Sequence, residues 1–133
     1  MPALNFKARF VEPIRAETKR QTIRARIPAG FRPDHWAPLY SGQRTRGCLL
    51  IGSAKLVDAW PIRIDKDAGV ITTMCWTFDT AETRDAFARC DGFADWADMD
   101  AYWDRLHPGV RQFEGVLISW SAFTREYRLG VGA

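Results

Sequence analysis

The chain has 133 residues, 47% of them hydrophobic and 26% charged, with a formal net charge of +3. That length makes one domain, residues 1–133, able to bury a core without staples. Three isolated cysteines with no CxxC pair and only two histidines argue against a disulfide framework and a zinc site, and no apolar run is long enough to cross a bilayer. Residues 1–10 carry charges at Lys7 and Arg9 and no apolar stretch between charged and small residues, so no signal peptide is expected and the cytoplasm is the expected compartment. A short first strand is expected over residues 3–7. A short helix follows over 9–17, with Phe10 and Ile14 on its apolar side and Pro13 in its first turn. A second strand is expected over 22–26, and the Pro, Gly and Asp residues of 27–36 read as a loop.

Residues 37–40 read as a strand ending at Ser41-Gly42. The stretch 47–60 reads as a long strand with both faces partly covered, Gly52 as its bulge or bend, and Pro61 as its end. Further strands are expected over 62–64 and 70–76. Asp79 and Glu82 have the spacing of a capping box opening a helix over 80–89. Asp91-Gly92-Phe93 reads as a turn. Asp95 caps a second helix whose stripe Trp96, Met99 and Trp103 is read as packing, with His107-Pro108-Gly109 as its stop. A last strand is expected within 113–126, and the tail from Gly130 is expected to fray. The sum is an α+β fold: a small, partly closed barrel of about six strands, with a short early helix and a helix pair before the last strand.

The chemistry-bearing stretch is Lys19-Arg20-Gln21-Thr22-Ile23-Arg24. An amine beside an alcohol is one way to make a hydroxyl nucleophilic without histidine. On a strand, Thr22 and Arg24 share a face. Lys19 joins them only if the chain bends between 19 and 22. The competing reading is a solvated basic turn entering a strand. Basic residues crowd the region before residue 50, while acids concentrate from Asp79 to Asp104, which favours an anionic ligand on one side.

Four ordered pieces make the chain resemble the ASCH family of the PUA-like β-barrel group. They are Leu4-Asn5-Phe6 with Arg9-Phe10 and Ile14; Lys19-x-x-Thr22-Ile23-Arg24; Leu39-Tyr40-Ser41-Gly42 with Arg44-Thr45 and the strand from Cys48 to Ala54; and Asp91-Gly92-Phe93 followed by the strand ending at Trp120. The resemblance implies a PUA-like barrel. One bacterial branch of that family deacylates N4-acetylcytidine and related N4-acylated cytosines with a lysine, a threonine and a glutamate. Lys19 and Thr22 fall on the matching spacing. Asp91 stands where that branch has glutamate, and Glu82 is the alternative carboxylate.

The implied activity is amide hydrolysis with a nucleoside substrate, no cofactor and no metal. Lys19 would serve as base, Thr22 as nucleophile or holder of the attacking water, and Asp91 as positioning group or proton shuttle. Arg24, Tyr40, Arg44 and Thr45 are the substrate-binding candidates. Trp36 and Trp60 flank loops, where they plug the barrel or sandwich a base. His35 and His107 read as solvent-facing or helix-ending, and Cys48 and Cys90 as buried small hydrophobes. The other function class is a non-catalytic RNA-binding module, with a weak ribonuclease behind it. A monomer or weak dimer with no membrane partner is expected.

Overall fold

The computed structural model describes residues 3–74 and 76–131. These described residues fold as α+β, with three α-helices and seven strands in one curled half-barrel sheet. Strand β1 (Leu4–Phe6) leads into a single 3-10 turn and helix α1 (Val11–Arg15), then β2 (Gln21–Arg24), β3 (His35–Ser41) and the long β4 (Leu49–Asp65). The hairpin β5 (Val70–Thr73) and β6 (Trp76–Phe78) precedes helices α2 (Ala81–Cys90) and α3 (Trp96–Leu106), and β7 (Gln112–Thr124) closes the order.

Strand β4 organises the sheet. One of its edges pairs with β3 near its start and with β5 near its end; the other pairs with β7 along most of its length. Beyond β7 lies β2, antiparallel to it, and beyond β3 lies β1, parallel to it. The half-barrel therefore runs from a β1 edge to a β2 edge. Arg24 bridges those edges, its Nη2 donating to the Asn5 carbonyl at 2.8 Å. Inside, Ile14, Leu39, Ile51, Leu56, Met99 and Ile118 are wholly buried.

Several boundaries differ from those read in the sequence. Pro61 does not end β4. Its carbonyl faces β5, accepting from Thr73 Oγ1 at 2.9 Å, so its missing N–H lies on that side and the ladder to β7 continues. The expected 70–76 strand is a hairpin instead, turning after Thr73 with Met74 at φ 50° and no Gly or Pro to announce it. Cys75, within that expected strand, lies outside the described residues. Helix α2 is capped one residue later than expected. Thr80 Oγ1 accepts from Thr83 N–H and Thr83 Oγ1 accepts from Thr80 N–H, both at 3.1 Å, leaving Asp79 and Glu82 exposed. Cys48 and Cys90 are exposed rather than buried: Cys48 sits in the β3–β4 loop and Cys90 is the last residue of α2. The tail is tied as far as Gly130, which exchanges two backbone bonds with Trp36 at 2.6 and 3.0 Å.

Gly52 is the bend expected of it. Leu39 faces Gly52 and Tyr40 faces Leu50, so Ile51 is the extra residue of a bulge. A Cβ on Gly52 would overlap the Thr124 carbonyl oxygen and stand 2.5 Å from Phe123 Cζ. Gly52→Ala should therefore lower the unfolding free energy by about 2 kcal/mol, the cost of overpacking. Gly47→Ala, whose Cβ meets only Thr45 Oγ1 at 3.8 Å, should shift it by less than about 0.5 kcal/mol. Chemical denaturation of the two variants measures both.

Candidate functional site

The segment between α1 and β2 makes the bend that a convergent site requires. Helix α1 stops at Arg15, Glu17 turns the chain at φ 61°, and the Thr18 and Lys19 N–H groups both donate to the Pro13 carbonyl at 3.0 Å. Arg20 then ties this turn to two neighbours. Its N–H donates to the Cys90 carbonyl at 2.9 Å, and its carbonyl accepts from Trp120 at 3.1 Å. The end of α2 and the start of β2 are thus held together, and Lys19 is directed inward.

Lys19 is 2% exposed and Asp91 is 3% exposed. Lys19 Nζ donates to the Asp91 backbone carbonyl at 2.5 Å and lies 3.3 Å from Asp91 Oδ1. It also stands 4.5 Å from the centre of the Phe10 ring, a cation–π distance. Asp91 is the C-cap of α2, so its carbonyl is one that the helix leaves unpaired, and the amine satisfies it. Gly92 follows at φ 91°, and the Phe93 N–H returns to the Ala88 carbonyl at 2.9 Å, as in a Schellman turn.

Thr22, on β2, is also buried. Its Oγ1 accepts from Arg24 Nε at 3.2 Å, so the residues two apart do share a face. Lys19 Nζ bonds to Asp91 and not directly to Thr22 Oγ1. Lys19, Thr22, Arg24 and Asp91 line one pocket of about 320 Å³, together with Asn5, Phe6, Phe10, Phe93, Tyr102, Trp103 and His107.

Burial dominates the electrostatics. It pushes the Lys19 amine below its ordinary value, against the attraction of Asp91, with Arg24 and Arg9 adding to the push. It pushes the Asp91 carboxyl up to about 6, against the cations Lys19 and Arg24. Both groups are drawn toward their uncharged forms. The Arg24 guanidinium is likewise lowered by burial, with Asp91 opposing.

The other candidates lie elsewhere. Tyr40 is half-buried at the end of β3, while Arg44 and Thr45 are exposed in the β3–β4 loop, and none of them lines the pocket. That loop meets the pocket only through Asn5, whose Oδ1 accepts from Gln43 N–H at 2.8 Å. Glu82 is exposed on the first turn of α2 and is not the pocket's carboxylate. Trp36 is buried beneath the Arg128 guanidinium and Trp60 lies on the outer face of the sheet; neither lines this pocket. His35 holds the Pro33 carbonyl. His107 ends α3 as expected but also lines the pocket, a placement its sequence neighbours do not announce. Sequence reasoning also missed Asn5, Tyr102 and Phe93. Tyr102 and Phe93 each pack against Phe10, within reach of the early helix, a pairing that only tertiary structure creates.

No family model, curated protein or solved structure matches this chain. Among the described residues no cluster of three or more His, Cys, Asp or Glu side chains could hold a metal ion, and no helix is long and apolar enough to cross a membrane.

The Gly92 turn is what keeps Lys19 inside. A Cβ there would stand 2.7 Å from Lys19 Cδ and 3.1 Å from Phe10 Cδ1, at a φ that side chains avoid. Gly92→Ala should lower stability by about 1–3 kcal/mol and displace Lys19 toward solvent. Denaturation, with mass-spectrometric mapping of amine acylation, checks this: Lys19, protected in the parent protein, becomes labelled in the variant. Unchanged stability with Lys19 still protected would show that the turn tolerates a side chain.

Proposed function

We propose that the chain is an ASCH-type, PUA-like half-barrel that hydrolyses the amide of N4-acylated cytosine nucleosides such as N4-acetylcytidine. One observation carries the proposal: a buried amine, a buried carboxyl and a guanidinium-held hydroxyl line the same pocket. The spacing Lys19-x-x-Thr22 supports the same reading, as does the aromatic wall of Tyr102 and Trp103, which suits a flat pyrimidine.

In the proposed reaction the acyl carbonyl lies beside Thr22 Oγ1. Arg24 Nε already occupies one lone pair of that oxygen, leaving the hydroxyl proton to point elsewhere. When the Lys19–Asp91 pair holds one transferable proton it has two forms, ion pair or neutral amine with protonated carboxyl. The second form supplies a base and an acid together. Lys19 turns from the Asp91 carbonyl and takes the Thr22 proton as Oγ1 bonds to the acyl carbon. Asp91 gives its proton to N4 as the C–N4 bond breaks and cytidine leaves. Water then adds to the threonine ester, delivering a proton back to Thr22 by way of Lys19, and the carboxylic acid departs. One water is consumed for each amide cleaved. The remaining Arg24 N–H groups face the oxygen that becomes negative.

The sign of the pH dependence follows from Asp91. Below about 6 both partners are protonated, no neutral amine is available, and the rate falls. Incubation with N4-acetylcytidine, read by chromatography, should release cytidine and acetate, with kcat/KM rising through a midpoint near 6. Lys19→Met and Thr22→Ala should each lower kcat/KM by about 1,000-fold or more; Asp91→Asn, which removes the acid, should also lower it and move the acid limb away from 6 to the midpoint of the Lys19 amine alone. Turnover that survives both the Lys19 and Thr22 changes would overturn the proposal. No turnover, together with salt-sensitive RNA binding, would favour the non-catalytic RNA-binding module.

A further inference from the structure

A second groove lies on the outer face of the same sheet. Gln21 precedes Thr22 on β2 and so points away from the pocket just described. The strand register sets Gln21 opposite Ser119 and Ser119 opposite Asp58, one polar row across β2, β7 and β4. Leu117 and Trp60 form the next row on that face. The β5–β6 hairpin and Phe87 of α2 wall the groove, which encloses about 510 Å³.

Three of the chain's large exposed hydrophobic side chains meet here: Trp60 at 37%, Met74 at 55% and Trp76 at 67% exposure. Among the described residues that line the groove, Asp58 is the only ionisable side chain. It makes no ion pair with any described residue. A purely apolar occupant would bury the acid unpaired, which is costly. An anion would find no cation among these lining residues.

We propose that this groove binds an arginine side chain presented by a partner polypeptide. A guanidinium is planar, stacks on tryptophan faces and carries N–H groups spaced to meet a carboxylate in pairs. Asp58 takes the guanidinium, and Trp60 and Trp76 flank it. The groove requires nothing of the Lys19 pocket, so the two assignments stand or fall separately.

The test uses N-acetyl-arginine amide and its uncharged isostere, N-acetyl-citrulline amide. Both are titrated into the full chain while the Trp60 and Trp76 indole N–H signals are followed by NMR. The arginine compound should shift both signals saturably and bind about tenfold or more tightly than the citrulline compound. Asp58→Asn should erase that difference, and Trp76→Ala, a change at an exposed position, should weaken binding of the arginine compound about tenfold. Equal binding of the two compounds, no shift at either indole, or a preference for arginine that persists in Asp58→Asn would overturn the proposal.

Discussion

The Lys19–Asp91 pair is the constraint around which this end of the molecule is arranged. Taking an amine and a carboxyl out of water costs several kcal/mol for each ion, and their attraction repays this only with good geometry. Here the amine receives more than the carboxylate. It also meets a backbone carbonyl that α2 leaves open at its C-cap, and the face of Phe10. The negative end of the helix dipole favours a cation at the same place. Even so, burial outweighs attraction, and both groups are displaced toward neutrality. An exposed ion pair such as Arg111–Asp67 has water to support each charge separately and no such tension.

The half-barrel gives that pair its setting. Two of the sheet's terminal strands, β1 and β2, meet at a seam that Arg24 spans by donating to Asn5 while its Nε holds Thr22. One side chain thus joins the two sheet edges and fixes the hydroxyl. The seam is also where the pocket opens, bounded by the aromatic residues of α3 and by Phe10 and Phe93. Substituting Arg24 would therefore disturb edge alignment and hydroxyl orientation together.

Much of the framework was legible in the sequence because its signals are local. A long stretch with apolar residues on both faces marked β4, the β-rich run from Val116 to Trp120 marked β7, Asp95 marked the start of α3, and the amine–hydroxyl–guanidinium run marked the pocket. The junction bend was legible only as a condition, since it depends on Arg20 bonding to Cys90 and Trp120, both distant in sequence. Pro61 misled because a proline is harmless when its nitrogen faces away from the ladder that continues, and edge orientation is a tertiary fact. The β5–β6 hairpin went unread because Met74 takes positive φ without a turn residue. Tyr40 lies in the strand that pairs with β1, and Arg44 and Thr45 follow that strand, yet none of the three lines the pocket. The carboxyl position was the reverse case: aspartate reaches Lys19 because Gly92 lets the two chains approach without an intervening Cβ.

The central claim is that burial, rather than mutual attraction, governs how this pair holds its protons. Site-resolved NMR titration of the Asp91 carboxyl carbon and the Lys19 side-chain nitrogen in the folded chain tests it most directly. The account predicts a carboxyl midpoint near 6 and an amine midpoint below 10.5. A carboxyl that titrates at or below 3.8 beside an amine at or above 10.5 would mean an ordinary, permanently charged ion pair, and would contradict it.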